Sequence, residues 1–363
     1  MGLRLKDSID VRLSPSGEPR LIENGVKDKV ALDYHDLALL SWISWKGSAA
    51  PLASDWPAGG GFYKERIIRL LEAGVLEHDP NREQASAIEA GRADWPVFIV
   101  GSYRSGTTLL RYIIDAHPRL ACPPESKFIP GLQEALDFPE ARSGLGNMGI
   151  TGEDVLFDLR RMIEMVLGGY AASRGKRRWV EKTPNYFRHI DFIDSLFGGQ
   201  VSYLVMVRHP LDCIDSLTTF FEYEGMGYAD PEIVRKVSVH GKGRHGWARF
   251  WVEVYTILEP VLTSLPSRTC LVKYEDLVTA PELTLRKLLA FIGEDYPSSL
   301  LSDAFAMPHT IGAQDDKITR TTQVHCDSVD KWQRWPASEV RAVWDIVGET
   351  ARKFGYVAPS AIL

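Results

Sequence analysis

"PVFIVGSYRSGTTLLRYIIDAHP", residues 96–118, joins an apolar run, a glycine turn and an amphipathic run. Val97 to Val100 form an apolar run without polar alternation, the pattern of a strand buried on both faces of a parallel sheet. A glycine-containing turn follows, and from Thr107 onward apolar residues recur at helical spacing. Strand, glycine turn and helix form the layout of a phosphate-binding loop. The first N–H groups of a helix lack intrahelical acceptors, and the helix dipole adds partial positive charge there. The spacing Gly101-x-x-x-x-Gly106 fits that layout, but Thr107-Thr108 stands where a nucleotide triphosphatase has Lys followed by Ser or Thr. Without the lysine, a triphosphate with its magnesium is poorly served, and a smaller 5′ group without obligatory metal fits better. Gly106 lets the backbone approach closely, Ser105, Thr107 and Thr108 supply hydroxyls, and Arg104 brings a fixed positive charge. An ordinary helix N-cap after a tight turn is the competing explanation, so a second site has to decide.

Working outward, the pattern repeats. Residues 179–182, 201–207 and 268–274 are further short apolar runs, and helical stretches are predicted at 107–116, 152–169, 210–221, 243–264 and 281–292. Alternation of this kind predicts an α/β domain of three layers around a central parallel sheet, P-loop-like in layout, over residues 96–363. Upstream, residues 1–80 read as a separate small winged-helix-like module. Leu32, Leu37, Leu40 and Ile43 lie near helical spacing, as do Phe62, Ile67, Leu70 and Leu71, and a strand-like "VLE" follows. Residues 81–95 are polar and alanine-rich, as a linker is.

A net charge of −6 argues against general affinity for nucleic acid or an anionic membrane, so any basic site must be local. No apolar run approaches the roughly 20 residues that cross a bilayer. The four cysteines, Cys122, Cys213, Cys270 and Cys326, are far apart and form no C-x-x-C pair, which fits a reducing cytoplasm.

"YLVMVRHPLDCIDSL" (203–217) supplies the second site. A buried strand ends at Val207, Arg208 stands at its carboxyl end, and Ser216 lies eight residues further on, in the following helix. Ligands of doubly wound sheets bind at the carboxyl ends of the strands, so Arg208 and the Gly101–Thr108 loop could hold two separated phosphates of one nucleotide.

Together these stretches resemble the sulfotransferases that use 3′-phosphoadenosine-5′-phosphosulfate (PAPS), most of all the branch containing the protein-tyrosine sulfotransferases. "RSGTTLLRYIIDAHPRLACPPESKFIP" (104–130) is similar to that branch's loop, helix and acidic segment, and "WVEKTP" (179–184) to its lysine-bearing segment. "CLVKYEDLVTAPE" (270–282) resembles a strand–turn–helix shared across the family, and "ITRTTQVHCDSVDKWQRW" (318–335) the C-terminal loop that closes over the nucleotide. The likeness covers residues 96–357.

The resemblance implies an enzyme with PAPS as co-substrate and PAP as product, and no required metal. It implies Glu125 as general base and Lys182 as the cation on the bridging oxygen. Arg104, Ser105, Gly106, Thr107 and Thr108 would hold the 5′-phosphosulfate, and Thr321, or its neighbour Thr322, would assist near the leaving group. Arg208, Ser216 and Lys331 would take the 3′-phosphate, and Tyr274 would pack by the adenine. Burial near the acceptor should raise the Glu125 pKa. His189 ranks second as a base, and His117 reads as a helix-end charge or cap. Lys127 stands where the tyrosine-sulfating branch usually has arginine, which leaves the acceptor open: a phenol, free or in a peptide, or else a sugar, lipid or alcohol. The module at 1–80 reads as a lid or a dimerisation unit of a homodimer, or as a leader-peptide binder. A metal-dependent kinase and a non-catalytic nucleotide-binding scaffold are the other function classes. The missing loop lysine counts against the first, and Glu125 with Lys182 against the second.

Overall fold

The computed structural model describes residues 2–5, 9–13, 19–23, 32, 36, 39–40, 62–79, 95–224, 239–310 and 318–362. Its contacts divide the chain into two compact units. One comprises Met1–Asp94, Leu132–Met165 and Ser195–Gly198, the other Trp95–Gly131, Val166–Asp194 and Gly199–Leu363.

In the first unit, strand β1 (Gly2–Leu5) pairs antiparallel with β4 (Leu76–Asp79), and β2 (Ile9–Leu13) with β3 (Pro19–Glu23). Helix α1 (Phe62–Glu72) buries Ile67 and Leu70, and Leu39 and Leu40 are buried in the same unit. The fully buried Asp36 accepts hydrogen bonds from Arg66 and Arg69 of α1. Beyond Gly74, Val75 N–H returns to the Leu70 carbonyl at 2.9 Å and ends the helix. Leu37, Ile43 and the linker up to residue 94 lie outside the described residues.

The second unit holds five parallel strands in the order β6-β7-β5-β8-β9: β5 (Val97–Gly101), β6 (Leu120–Ala121), β7 (Arg178–Lys182), β8 (Ser202–Val207) and β9 (Thr269–Lys273). Every residue of β5, β7 and β8 is buried, as apolar runs without alternation predict. β9 departs from that pattern, with Leu271 exposed, because it is an edge strand. The sequence order reverses at β5, which lies between β7 and β8. That reversal makes the carboxyl ends of β5 and β8 the place where a doubly wound sheet opens a crevice.

Side chains of alternate strand residues build two cores. Val97, Ile99, Leu204, Met206 and Val272 meet Leu110, Ile113 and Ile114 of α2 (Thr107–Asp115), then Leu285 and Leu288 of α10 (Pro281–Phe291) and Leu300 of α11 (Leu300–Ala306). Phe98 faces the other way, among the rings of Trp179, Tyr186 and Tyr203. There α8 (Gly243–Ser264) packs on α7 (Pro210–Glu224) and α12 (Ala337–Lys353), with Trp251, Tyr255 and Phe354 at the contact. Trp247, Trp251, Trp332, Trp335 and Trp344 are all buried packing residues. The arrangement is the expected three-layer α/β fold. Among the described residues, no helix is long and apolar enough to cross a membrane.

The helix at 243–264 matches its prediction, while α5 (Gly152–Ser173) and α7 run on past theirs. The two-residue β6 and helices α3 (Ile129–Asp137), α4 (Pro139–Asn147), α6 (Ile190–Phe197), α9 (Tyr274–Thr279), α11 and α12 lie outside the stretches predicted from the apolar pattern.

Candidate active site

Strand β5 delivers the chain to a tight loop. Ser105 donates its amide (3.2 Å) and its hydroxyl (2.6 Å) to the Ser102 carbonyl, so this buried hydroxyl is used inside the loop. Arg104 has φ 64°, in the left-handed region, and Gly106 caps α2 at φ 98°. A Cβ on Gly106 would lie 2.4 Å from Tyr274 Cδ2, so only glycine lets the loop meet that ring. No side chain caps α2, which leaves its first N–H groups directed at the cleft. Tyr255 ties the loop to β8, accepting the Ser102 amide at 3.5 Å and donating to the Met206 carbonyl at 2.8 Å.

Strand β8 delivers Arg208. This buried guanidinium donates to the carbonyl of Arg104 at 3.0 Å and to that of Ser328, and lies 4.7 Å over the Tyr274 ring. Arg104 in turn donates Nε–H to Ser216 Oγ at 3.2 Å and lies 4.8 Å over the Phe220 ring. Two arginines from different strand ends therefore converge. His209, the next residue, is structural: burial lowers its pKa to about 4, and it stacks on Trp332 and Trp344.

The C-terminal segment closes one side of this site. Asp212 accepts the N–H groups of Asp330 and Lys331, each at 2.7 Å, and of Trp332 at 3.4 Å. Asp215 accepts from Arg334 at 2.7 Å and from Trp335 Nε1 at 2.8 Å. An open cleft results, lined by Arg104, Gly106, Thr107, Thr108, Arg208, Ser216, Tyr274 and Thr321 among the residues expected from sequence. Leu109, Ile318, Gln323, Val324, His325 and Ser328 complete the lining. Thr322 and Lys331 are exposed and are not among the lining residues. What Lys331 brings is its backbone N–H, held by Asp212.

Beyond the loop lies an ionisable pair. Lys182, at the end of β7, is 2% exposed and donates to Glu125 Oε1 at 2.7 Å and to Thr108 Oγ1 at 3.5 Å. Lys127 stands 3.3 Å from Glu125 Oε2. Burial pushes the Glu125 carboxyl up, but the two ammonium groups and their hydrogen bonds outweigh it and hold the pKa below its ordinary value. The expected rise is thus corrected to a fall, because sequence gave no sign that Lys182 would be in contact.

Neither histidine competes well. His117 is buried and uses both ring nitrogens, accepting from the Arg119 amide at 3.2 Å and meeting the Asp295 carbonyl at 2.9 Å. Burial lowers its pKa, so it is a neutral cap of the turn after α2 rather than a charge. His189 follows the 3-10 turn at Pro184–Arg188 and sets its ring edge-on to Tyr186.

Known proteins match this layout. The family model described as the sulfotransferase family matches residues 96–298, more than half of the chain. The chain belongs to the sulfotransferase family. It is 26% identical over 275 residues to protein-tyrosine sulfotransferase A of Caenorhabditis elegans, covering 72% of this chain and 67% of that protein. It is 24% identical over 271 residues to nodulation protein NoeE of Sinorhizobium fredii, covering 69% of this chain and 63% of that one. Further similar proteins are tyrosine sulfotransferases of vertebrates, so this sulfotransferase stands near that branch. In fold it matches the sulfotransferase domain of the curacin biosynthetic pathway, with TM-score 0.51 and 21% identity over 73% of this chain and 99% of that one.

Asp212, Ser328 and Glu181 were missed as contributors. Asp212 sits one turn before Ser216 in "RHPLDCIDS", a spacing that places both on one helix face and could have flagged it.

Proposed function

We propose that the cleft binds PAPS and that the sulfotransferase passes its sulfuryl group to an acceptor hydroxyl, with residues 96–363 as the catalytic domain. The observation that carries this reading is the convergence in one cleft of Arg104, Thr107 and Thr108 from the end of β5 and of Arg208 and Ser216 from the end of β8, with the Glu125–Lys182 pair joined to the loop through Thr108. A nucleotide with phosphates at both ends fits such a site, and the chain's own donors match it.

The α2 amides, Thr107, Thr108 and Arg104 bind the 5′ end, and Arg208 with Ser216 the 3′-phosphate. The Tyr274 ring, already sandwiched against Arg208 and Gly106, flanks the base. In the transfer, the acceptor oxygen bonds to sulfur while the bond from sulfur to the 5′-phosphate oxygen breaks, leaving PAP. Glu125 takes the acceptor proton, and Lys182 steadies the charge that grows on the leaving oxygen, with Thr321 beside it. Two ammonium groups keep Glu125 ionised and make it a weak base. A phenol, with a reference pKa near 10, suits such a base better than an aliphatic alcohol does. The tyrosine sulfotransferases among the relatives support the same acceptor class.

Sulfur-labelled PAPS offered with phenols, tyrosine peptides and sugars tests the reading. Label should pass to phenolic hydroxyls; transfer to sugars alone would move the acceptor class, and transfer to nothing would remove the activity.

A further inference from the structure

Glu181 is fully buried at the end of β7 and has no part in the chemistry described above. Its Oε1 gathers three donors: Thr183 Oγ–H at 2.6 Å, Ser126 Oγ–H at 3.0 Å and the Ser126 amide at 3.4 Å. Its Oε2 is buried and has no hydrogen-bond partner among the described residues. Ser126 Oγ also meets the Tyr186 hydroxyl at 3.0 Å. Ser126 is the residue between Glu125 and Lys127, and Lys127 is held at φ 54°, a left-handed conformation rare outside glycine. A non-glycine residue keeps such a conformation only where its surroundings fix it. Glu181 supplies two of those fixings, the hydroxyl and the amide of Ser126.

We propose that Glu181 is a positioning residue for sulfuryl transfer: its buried carboxylate clamps the Ser126 turn and thereby aims Glu125 and Lys127 at the acceptor. The proposal rests on Glu125 being the base, but its test does not. Burial raises the Glu181 pKa to about 7, against the pull of Thr183, Ser126 and Lys182. The other titratable groups that feel this carboxylate are Cys122 and Tyr186, both pushed upward by burial. Ionisation strengthens hydrogen bonds donated to a carboxylate, so the clamp tightens as pH rises through about 7. Glu125, with its lowered pKa, is already ionised there.

The variants Glu181→Gln, Glu181→Ala and Ser126→Ala, each bound to PAP, separate the outcomes. Hydrogen–deuterium exchange over residues 123–129 reads the clamp without any turnover. Glu181→Ala should speed exchange across that turn with PAP affinity unchanged, and lower kcat about a hundredfold, as loss of a charged acceptor for several donors implies. Glu181→Gln keeps the acceptor oxygen, so exchange stays near wild type while the rise of kcat through pH 7 disappears. Ser126→Ala, which removes one donor and leaves the core intact, should speed exchange and lower kcat about tenfold even if Glu181→Ala fails to fold. Unchanged exchange in both alanine variants, or a Glu181→Gln enzyme that keeps the wild-type pH rise, overturns the proposal. A wild-type protein that transfers no label leaves the exchange result to stand alone, which separates failure of the clamp from failure of the activity.

Discussion

The two ends of the candidate site, the cleft and the ionisable pair beyond its loop, are built from different materials. In the cleft, at the carboxyl ends of β5 and β8, the charges are guanidiniums, and the chain already occupies them: Arg208 holds two carbonyls and a ring, Arg104 a hydroxyl and a ring. At the β7 end the groups are a carboxylate and two ammoniums in mutual contact, with a second carboxylate just behind. The first end is a fixed receptor whose shape barely depends on proton concentration. The second is a cluster of opposite charges in direct contact, with Glu125 held between two ammonium groups. Binding should therefore depend on the arginine end and turnover on the carboxylate end, and substitutions at one should leave the other's observable alone.

The largest break in that division comes from Glu125→Ala. Loss of a general base costs roughly 10²–10⁴-fold, so kcat should fall by that order while PAP affinity holds. A parallel loss of affinity, measured by calorimetry, would show the two ends to be one. Next is Arg208→Ala, which removes a buried charged donor to two carbonyls and should weaken PAP binding by about 10–100-fold. Substitution of Gly106 by alanine forces a side chain against Tyr274 in a left-handed conformation, and should cost about 1–3 kcal/mol of stability, read as a lower melting temperature, while weakening PAP binding. The smallest effect belongs to Thr321→Ala, a half-buried hydroxyl at the cleft wall, with a loss in kcat of several-fold, or about 1 kcal/mol.

pH sharpens the same contrast. The Glu125 pKa is held below its ordinary value of 4.5, so its contribution to stability is full above that value and lost as pH falls further. Glu181 runs the other way: its pKa is raised from 4.5 to about 7, so it costs progressively more stability as pH climbs through that window. Thermal melts between these limits should show a gentle decline toward neutrality that Glu181→Gln removes.

Much of this was legible in the sequence because it is local. Gly101 to Thr108 and Arg208 to Ser216 sit at strand ends, and a strand end followed by a helix fixes where those residues lie before any long-range contact is known. What was not legible depends on pairing across distance. The lowered pKa of Glu125 requires Lys182, 57 positions away, and the grip on the C-terminal segment requires Asp212 to meet amides 118 to 120 positions on. Lys331 shows the limit clearly: its place in "DKW" marks the segment, yet its amide rather than its ammonium makes the recorded contact. Helices α3 and α4 escaped prediction for another reason. They bury little, α4 having no buried residue, so no apolar stripe announced them.

The proposed function requires this cleft to receive a nucleotide with two phosphates while a separate carboxylate does the chemistry. Calorimetric titration of PAP into wild type, Glu125→Ala and Arg208→Ala, with a chelator in place of metal, tests it most directly. Wild type and Glu125→Ala should bind PAP with matching affinity, and Arg208→Ala should lose ten-fold or more, about 1.4 kcal/mol. No heat from PAP, or binding that appears only with magnesium and ATP, would contradict it.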